Sequence, residues 1–287
     1  MGHRTRAGIR HRLTNHVEFE FQTIIFIGLL IGLGTMLQSA VGFGGGTFAV
    51  PLLIWLDVPL PAAITLVLIA VAWQTGWNSY QYRQEIVWSR VFPIFSLRTI
   101  FLPLGIWLLG HLNAAGQDVI KQVVGAILLL IVISQWTLRV QPRARLHPGW
   151  TFLAGSSSGV LAGLVGSGGP PIALWAAAQQ WTSRQMRASL WISLLLTLPV
   201  NIGLLIYKFG DSVWSAVGLS VAFIPLVMGG SAIGVRIGDR LSRQWLRLAV
   251  FIVLVLVAVG SILAPLLNTD QPPLAKSLLL DPIGLHE

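Results

Sequence analysis

The chain has 287 residues, of which 54% are hydrophobic and only 10% are charged, and its mean hydropathy is +0.75. A soluble protein of this size needs far more charge to cover its surface, so the composition predicts a membrane protein that crosses the bilayer several times. The sequence has no cysteine, which excludes disulfides, thiolate metal sites and a cysteine nucleophile.

The net charge of +9 does not indicate nucleic-acid binding, because the basic residues fall in short clusters between apolar runs. The main clusters are Arg4–Arg12, Arg139–Arg145 and Arg236–Arg247. Clusters of this kind orient membrane proteins, since Lys and Arg stay on the cytoplasmic side. We therefore predict the lipid bilayer as a partner and no nucleic acid.

The first apolar segment, 22–41, follows a basic arm that we predict to be cytoplasmic. It runs directly into a glycine-rich motif, which favours an uncleaved helix over a removed signal peptide. Later apolar segments cover 47–56, 62–80, 91–112, 119–138, 149–166, 170–181, 188–207, 213–235 and 247–267. The segments 47–56 and 170–181 are too short for a comfortable crossing and are predicted to be half-helices or re-entrant pieces, which leaves about eight full spans.

The sequence also repeats itself. VGFGGG at 41–46 is matched by VGSGGP at 165–170, and Asn78 is matched by Asn201 at a similar spacing. We predict an all-α polytopic membrane protein with two repeated four-helix halves, each containing a Gly-rich broken or re-entrant segment. The predicted divisions are a basic cytoplasmic N-terminal arm 1–21, a first repeat 22–138, a basic connecting loop 139–148, a second repeat 149–267 and a C-terminal tail 268–287.

The orientation stays open at this point. Four crossings in each half place the N-terminal arm and the Arg139–Arg145 loop on the cytoplasmic side, but they place Arg236–Arg247 outside, against the charge rule. Counting 170–181 as a crossing moves Arg236–Arg247 to the cytoplasmic side. Counting 47–56 as a crossing, however, moves the Arg139–Arg145 loop outside.

Two familiar explanations of the glycines fail. A potassium filter needs four equal carbonyl loops, whereas the second copy here has Ser167 in place of Phe43. A phosphate-binding loop needs a lysine directly after its last glycine, and none follows Gly46 before Lys121.

Three explanations remain. Ser167 could be an intramembrane nucleophile, but that chemistry needs a base, and no histidine lies inside an apolar segment. Small residues could let helices pack closely without any ligand. The third is a pair of broken helices whose free N–H groups and positive dipole ends face a ligand, which is the pattern of a transporter site between repeats.

At these motifs the sequence resembles the sulfite exporter TauE/SafE family of membrane transporters, through Gly42–Gly46 with Pro51 and through Gly166–Pro170. The resemblance extends over most of the chain. It implies two four-helix halves and outward movement of small sulfur-containing anions such as sulfite or organosulfonates. Ser167 and Pro170 make the second motif unequal to the first.

Arg98 gives the most specific single-residue prediction, because it is the only charged residue between Arg90 and Asp118. A charge deep in a span costs about 2.5–3.5 kcal/mol on insertion scales and usually has a partner. No acidic residue lies deep in any span, which suits an anionic substrate. The alternative is that Arg98 snorkels to the membrane surface. Uncharged polar residues flank the breaks: Gln38, Ser39, Gln74, Asn78, Ser189, Ser193, Thr197 and Asn201.

The sequence therefore predicts a multi-pass inner-membrane permease for a small, sulfur-containing oxyanion, with an intramembrane serine hydrolase or a non-transporting scaffold as alternatives. No catalytic residue, metal ligand or cofactor is predicted, and homo-oligomerisation is left open. The predicted substrate-binding residues are Gly42, Gly44, Gly45, Gly46, Gly166, Ser167, Gly168, Gly169, Gln74, Asn78, Asn201 and Arg98.

Overall fold

A computed structural model describes residues 21–137, 142–143, 146–240, 252, 255–256 and 258–260. Within these residues the chain is helical, which confirms the all-α prediction for this part. The helices are α1 Phe21–Val41, α2 Gly45–Trp55, α3 Leu60–Gln81, α4 Trp88–Ala114, α5 Gln117–Thr137, α6 Pro148–Val165, α7 Gly169–Ala177, α8 Ser183–Phe209, α9 Asp211–Ala222 and α10 Ile224–Arg240.

In the described part of the chain, 5 helices are long and apolar enough to cross a membrane, and 6 spans result if α9 and α10 count as one. This is a multi-pass membrane protein. The predicted span 213–235 is instead two helices, α9 and α10, which meet at 64°. The predicted span 149–166 forms α6, which is not among these helices, and 247–267 lies largely outside the described residues. The predicted eight spans are therefore not confirmed.

Both glycine motifs end one helix and begin another. Gly42 and Gly44 have φ of 100° and 103°, and Gly166 has φ of 66°. Side chains rarely adopt these left-handed conformations, so glycine lets the chain turn sharply at these points. The half-helices α2 and α7 predicted from the sequence begin directly after the two turns.

Each short helix folds back along the helix before it. Gly45 N–H donates to Gln38 Oε1 (3.2 Å), and Gly34 packs against Ala49, so α2 runs antiparallel to α1. In the same way, Trp175 Nε1 donates to Thr151 Oγ1 (3.1 Å), which sets α7 antiparallel to α6. The pairs α1–α2 and α6–α7 are therefore antiparallel helical hairpins.

The helices run between two ends, which we name by their contacts. At the Asp57 end, Lys121 Nζ lies 3.0 Å from Asp57 Oδ1. At the Tyr82 end, Tyr82 and Arg187 both contact Asp239. Helices α3, α5 and the α9–α10 pair run from the Asp57 end to the Tyr82 end, and α4 and α8 run in the opposite direction.

Two helix pairs approach closely through glycine. Gly155 lies against Leu97 and Gly163 against Ile106, which makes α6 parallel to α4. Gly28 lies against Phe223 and Gly238 against Ala40, which makes α1 parallel to α10. Consequently α1 starts at the Asp57 end, whereas α6 starts at the Tyr82 end. Phe21 and Arg143 thus lie at opposite ends, unlike the shared side that four crossings would give.

Candidate functional site

The two breaks meet each other between the two ends. A Cβ on Gly46 would lie 2.5 Å from the carbonyl oxygen of Gly166, and one on Gly169 would lie 3.0 Å from Phe43 Cβ. The hydroxyls of Thr47 and Ser167 are hydrogen-bonded to each other across the junction. The two glycine motifs, more than 100 residues apart in the sequence, therefore form one structural feature.

A cavity of about 40 Å³ lies at this junction. That volume is several times the roughly 10–15 Å³ that one water molecule needs. Its walls come from both breaks and from α1, α3, α4, α6 and α8: Gln38, Gly44, Gly46, Thr47, Leu68, Val71, Arg98, Ala162, Gly166, Ser167, Gly168, Gly169, Leu194, Thr197, Leu198 and Asn201.

Arg98 is the charged residue of this lining. It is 3% exposed, and its Nη1 donates to the backbone oxygen of Ser193 at 3.4 Å. Its Nε has no hydrogen-bond partner within the described part of the chain. Instead of reaching a membrane surface as snorkelling would require, the side chain turns into the cavity.

Two further amides in the lining have unused hydrogen-bonding atoms. Asn201 donates to the backbone oxygen of Ala162 (3.3 Å), while its Oδ1 has no partner among the described residues. Gln38 uses its Oε1 to accept from Gly45, and its Nε2 is likewise unpartnered there. Buried polar atoms are normally satisfied, so these two amides keep hydrogen-bonding capacity at the cavity.

Four of the predicted site residues lie outside the cavity lining. Gly42 lies against Arg187, and Gly45 against Gln38. Gln74 Nε2 donates to Ser39 Oγ (2.5 Å) and Asn78 Nδ2 to the same oxygen (3.2 Å).

The cluster around Ser39 joins three helices. Ser39 Oγ donates to Ser231 Oγ (2.9 Å), and Ser231 Oγ lies within hydrogen-bonding distance of Asn78 Oδ1 (3.3 Å). Gln74 and Asn78 therefore tie α3 to α1 and α10, because their amides are engaged by these serines.

The sequence analysis missed Thr47 and the apolar wall, which includes Leu68, Leu194 and Leu198. Thr47 could have been identified from the sequence, because it directly follows the glycines of the first motif. Gln38 and Thr197 were recognised as polar neighbours of the breaks and both line the cavity. Apolar wall residues carry no such signal, because they look like any other residue of a membrane helix.

Ser167 has no catalytic surroundings in the described residues. Its hydroxyl is bonded to Thr47 rather than to a histidine. His111 is exposed at the end of α4 and bonds Trp107 O (3.0 Å), and His147 is exposed and caps the start of α6. Nucleophilic serine chemistry needs a base within hydrogen-bonding reach, so this geometry does not favour the hydrolase alternative.

Comparison with known proteins gives one match. No curated protein and no solved structure matches the chain. Residues 24–261 match the sulfite exporter TauE/SafE family. This match covers both glycine motifs, the cavity lining and every helix from α2 to α10. The chain therefore belongs to the sulfite exporter TauE/SafE family.

Proposed function

We propose that the protein exports a small sulfur-containing oxyanion, sulfite or a similar ion, which binds at the junction of the two breaks. The family implies membrane transport of sulfur anions, and the proposal adds the site. The observation that carries it is Arg98, a buried guanidinium that faces a small cavity with no carboxylate among the described residues that line it. A buried charge without a counter-charge is strongly unfavourable, and a bound anion supplies that counter-charge.

The start of α2 supports anion binding from the opposite wall. The N-cap residue Gly44 has no side chain, Gln38 Oε1 accepts from the N–H of Gly45, and Gly44, Gly46 and Thr47 line the cavity. The first N–H groups of a helix have no intrahelical partner and carry its positive dipole end. Helix α7 offers fewer donors, because Pro170 and Pro171 in its first turn have no N–H. We therefore assign the backbone contacts mainly to α2.

The size of the cavity favours a small ion. Pockets for drug-sized ligands measure roughly 300–1,000 Å³, whereas this cavity measures about 40 Å³. In the conformation described here, a compact ion such as sulfite suits the site better than a large organosulfonate does.

The packing supports two inverted repeats, 22–138 and 149–267, as the architecture of this permease. Helix α1 packs on α10, and α6 packs on α4, so each helical hairpin rests on a helix of the other half. Since α1 and α6 start at opposite ends, the two halves run in opposite directions. Inverted repeats with broken helices at their interface are typical of transporters that open alternately to either side.

The distribution of charge supports an orientation in the inner membrane. The Tyr82 end carries a set of arginines, namely Arg83, Arg90, Arg143, Arg184, Arg236 and Arg240. We assign this end to the cytoplasm, since Lys and Arg accumulate there. With this assignment Arg143 and Arg236, which are described members of the two basic clusters, lie on the same side. It places the start of α1 on the other side, while the predicted cytoplasmic arm 1–21 lies almost wholly outside the described residues.

The direct test is flux of labelled sulfite in sealed proteoliposomes. We expect protein-dependent movement of sulfite that unlabelled sulfite competes with. Vesicles that show no flux of sulfite, thiosulfate or sulfoacetate would contradict the proposal and favour a scaffold.

A matched pair of asparagines separates site residues from structural ones. Asn201→Ala is expected to weaken sulfite binding, because Asn201 lines the cavity and its Nδ2 has a second N–H, besides the one donated to Ala162, that can donate to the ion. Asn78→Ala is expected to lower stability by about 0.5–1.5 kcal/mol through the lost interhelical hydrogen bonds and to leave sulfite affinity near the wild-type value. Thermal unfolding with and without sulfite measures both effects. Equal loss of affinity in the two variants would contradict this division.

A further inference from the structure

Arg187 is a second buried arginine, located at the Tyr82 end. It is 3% exposed, and on α8 it lies two turns before Leu194 of the cavity wall, about 10 Å along the helix axis. A Cβ at Gly42 would lie 3.2 Å from Arg187 Cγ, so the side chain rests directly on the start of the first break. An anion that leaves the cavity towards the Tyr82 end would meet this residue.

Only part of the Arg187 guanidinium is satisfied. Its Nη2 donates to Asp239 Oδ1, while its Nη1 is buried and has no hydrogen-bond partner among the described residues. The Trp191 ring lies under the guanidinium, 5.8 Å from Cζ to the ring centroid. The Arg187 guanidinium is therefore held in place by Asp239 and Trp191, while its Nη1 makes no hydrogen bond within the described part of the chain.

Asp239 is the more accessible partner. Its side chain is 36% exposed, against 4% for the Arg187 side chain. Tyr82 Oη donates to Asp239 Oδ2 at 3.4 Å. Burial, and then the Asp239 carboxylate, raise the pKa of Tyr82 above its ordinary value of 10.0, so the phenol donates to Asp239 at neutral pH and beyond.

We propose that Arg187 is a second anion-binding residue on the path, and that the Asp239 carboxylate occupies here the position that the transported anion takes during passage. The inference builds on the proposed function. A buried guanidinium cannot be left unpaired without a large cost, so exchange of one anion for another is the favourable way to open this contact. The planar fork, including the unused Nη1, matches the geometry of an oxyanion.

A charge swap separates this role from that of a structural ion pair. In the double variant Arg187→Asp with Asp239→Arg, the pair can form again between the same two helices. We expect near-wild-type thermal stability but labelled-sulfite flux reduced by at least about tenfold, which is the effect of 1.4 kcal/mol in binding. Flux restored to the wild-type level would overturn the proposal.

A binding measurement that needs no transport completes the test. Arg98→Gln silences the central site, so all variants here carry it. In this background Asp239→Asn should increase thermal stabilisation by inorganic sulfate, because Arg187 becomes free to take the ion. Adding Arg187→Gln should abolish the increase. Asp57→Asn is the control, since it breaks an exposed pair with Lys121 far from the cavity, and should produce no increase.

The two readouts also separate the inference from the function it builds on. No extra sulfate stabilisation in Asp239→Asn, or the same increase in Asp57→Asn, would overturn the role of Arg187 whatever the flux of the wild type. A wild type without sulfite flux but with the Arg187-dependent increase would contradict the proposed function and retain the anion site.

Discussion

Replacing Arg98 with glutamine is expected to weaken sulfite binding by about 10-fold to 100-fold, the effect of losing hydrogen bonds from a charged group worth about 1.5–3 kcal/mol. The reason is that Arg98 supplies the positive charge of the cavity lining, and its Nε is free to donate into it. The variant should nevertheless insert and fold at least as well as the wild type, because it removes a buried charge. Sulfite flux and sulfite-dependent thermal stabilisation measure the two effects separately.

Two further variants sharpen this experiment. Arg98→Lys should recover only part of the affinity, since a compact ammonium cannot bind an oxyanion with a two-pronged fork. Arg90→Gln removes an exposed arginine from the first turn of the same helix and should leave affinity unchanged. Equal sulfite affinity in the wild type and Arg98→Gln would remove Arg98 from the site and leave the ion to the uncharged donors, chiefly the N–H groups at the start of α2.

The two helix breaks could be predicted because their signal is local in the sequence. Four glycines within five residues, with Pro51 soon after, disfavour a continuous helix, and the short segment that follows cannot cross the bilayer. The bend between α9 and α10 was missed although Pro225 marks the first turn of α10, because proline within apolar segments occurs elsewhere here without such a bend, as in α4 with Pro93 and Pro103.

The role of the polar residues could not be decided from the sequence. Asn78 and Asn201 occupy matching positions, yet Asn78 bonds to Ser39 while Asn201 lines the cavity. The difference depends on Ser39 and Ser231, which lie 192 positions apart and meet only when α1 packs on α10. The proposed orientation also depends on tertiary structure, since it follows from the directions of α1 and α6, which only their contacts with α10 and α4 reveal.

Adding one methyl group at Gly46 is expected to abolish sulfite flux. The Cβ of Gly46→Ala would lie 2.5 Å from the Gly166 carbonyl oxygen, and since this is a backbone atom it cannot rotate away. The two breaks must separate, which moves the α2 N-terminus away from Arg98 and opens the cavity. A single misplaced contact of this kind changes a site that depends on donors converging from several elements.

Variants of two other glycines are controls that distinguish a clash between the two breaks from other effects of an added methyl group. Gly44→Ala meets nothing within 4 Å but must adopt φ of 103°, at a cost of about 1–3 kcal/mol. Because Gly44 lines the cavity, the variant also adds a methyl group to the lining, so it tests strain and cavity shape without any clash between the two breaks. Gly203→Ala on α8 also meets nothing within 4 Å and has an ordinary φ, so it should behave as wild type. We expect flux to fall from Gly203→Ala through Gly44→Ala to Gly46→Ala. If Gly46→Ala folds and transports as well as Gly203→Ala does, contact between the breaks is not needed for transport, and the anion must take another route through the protein.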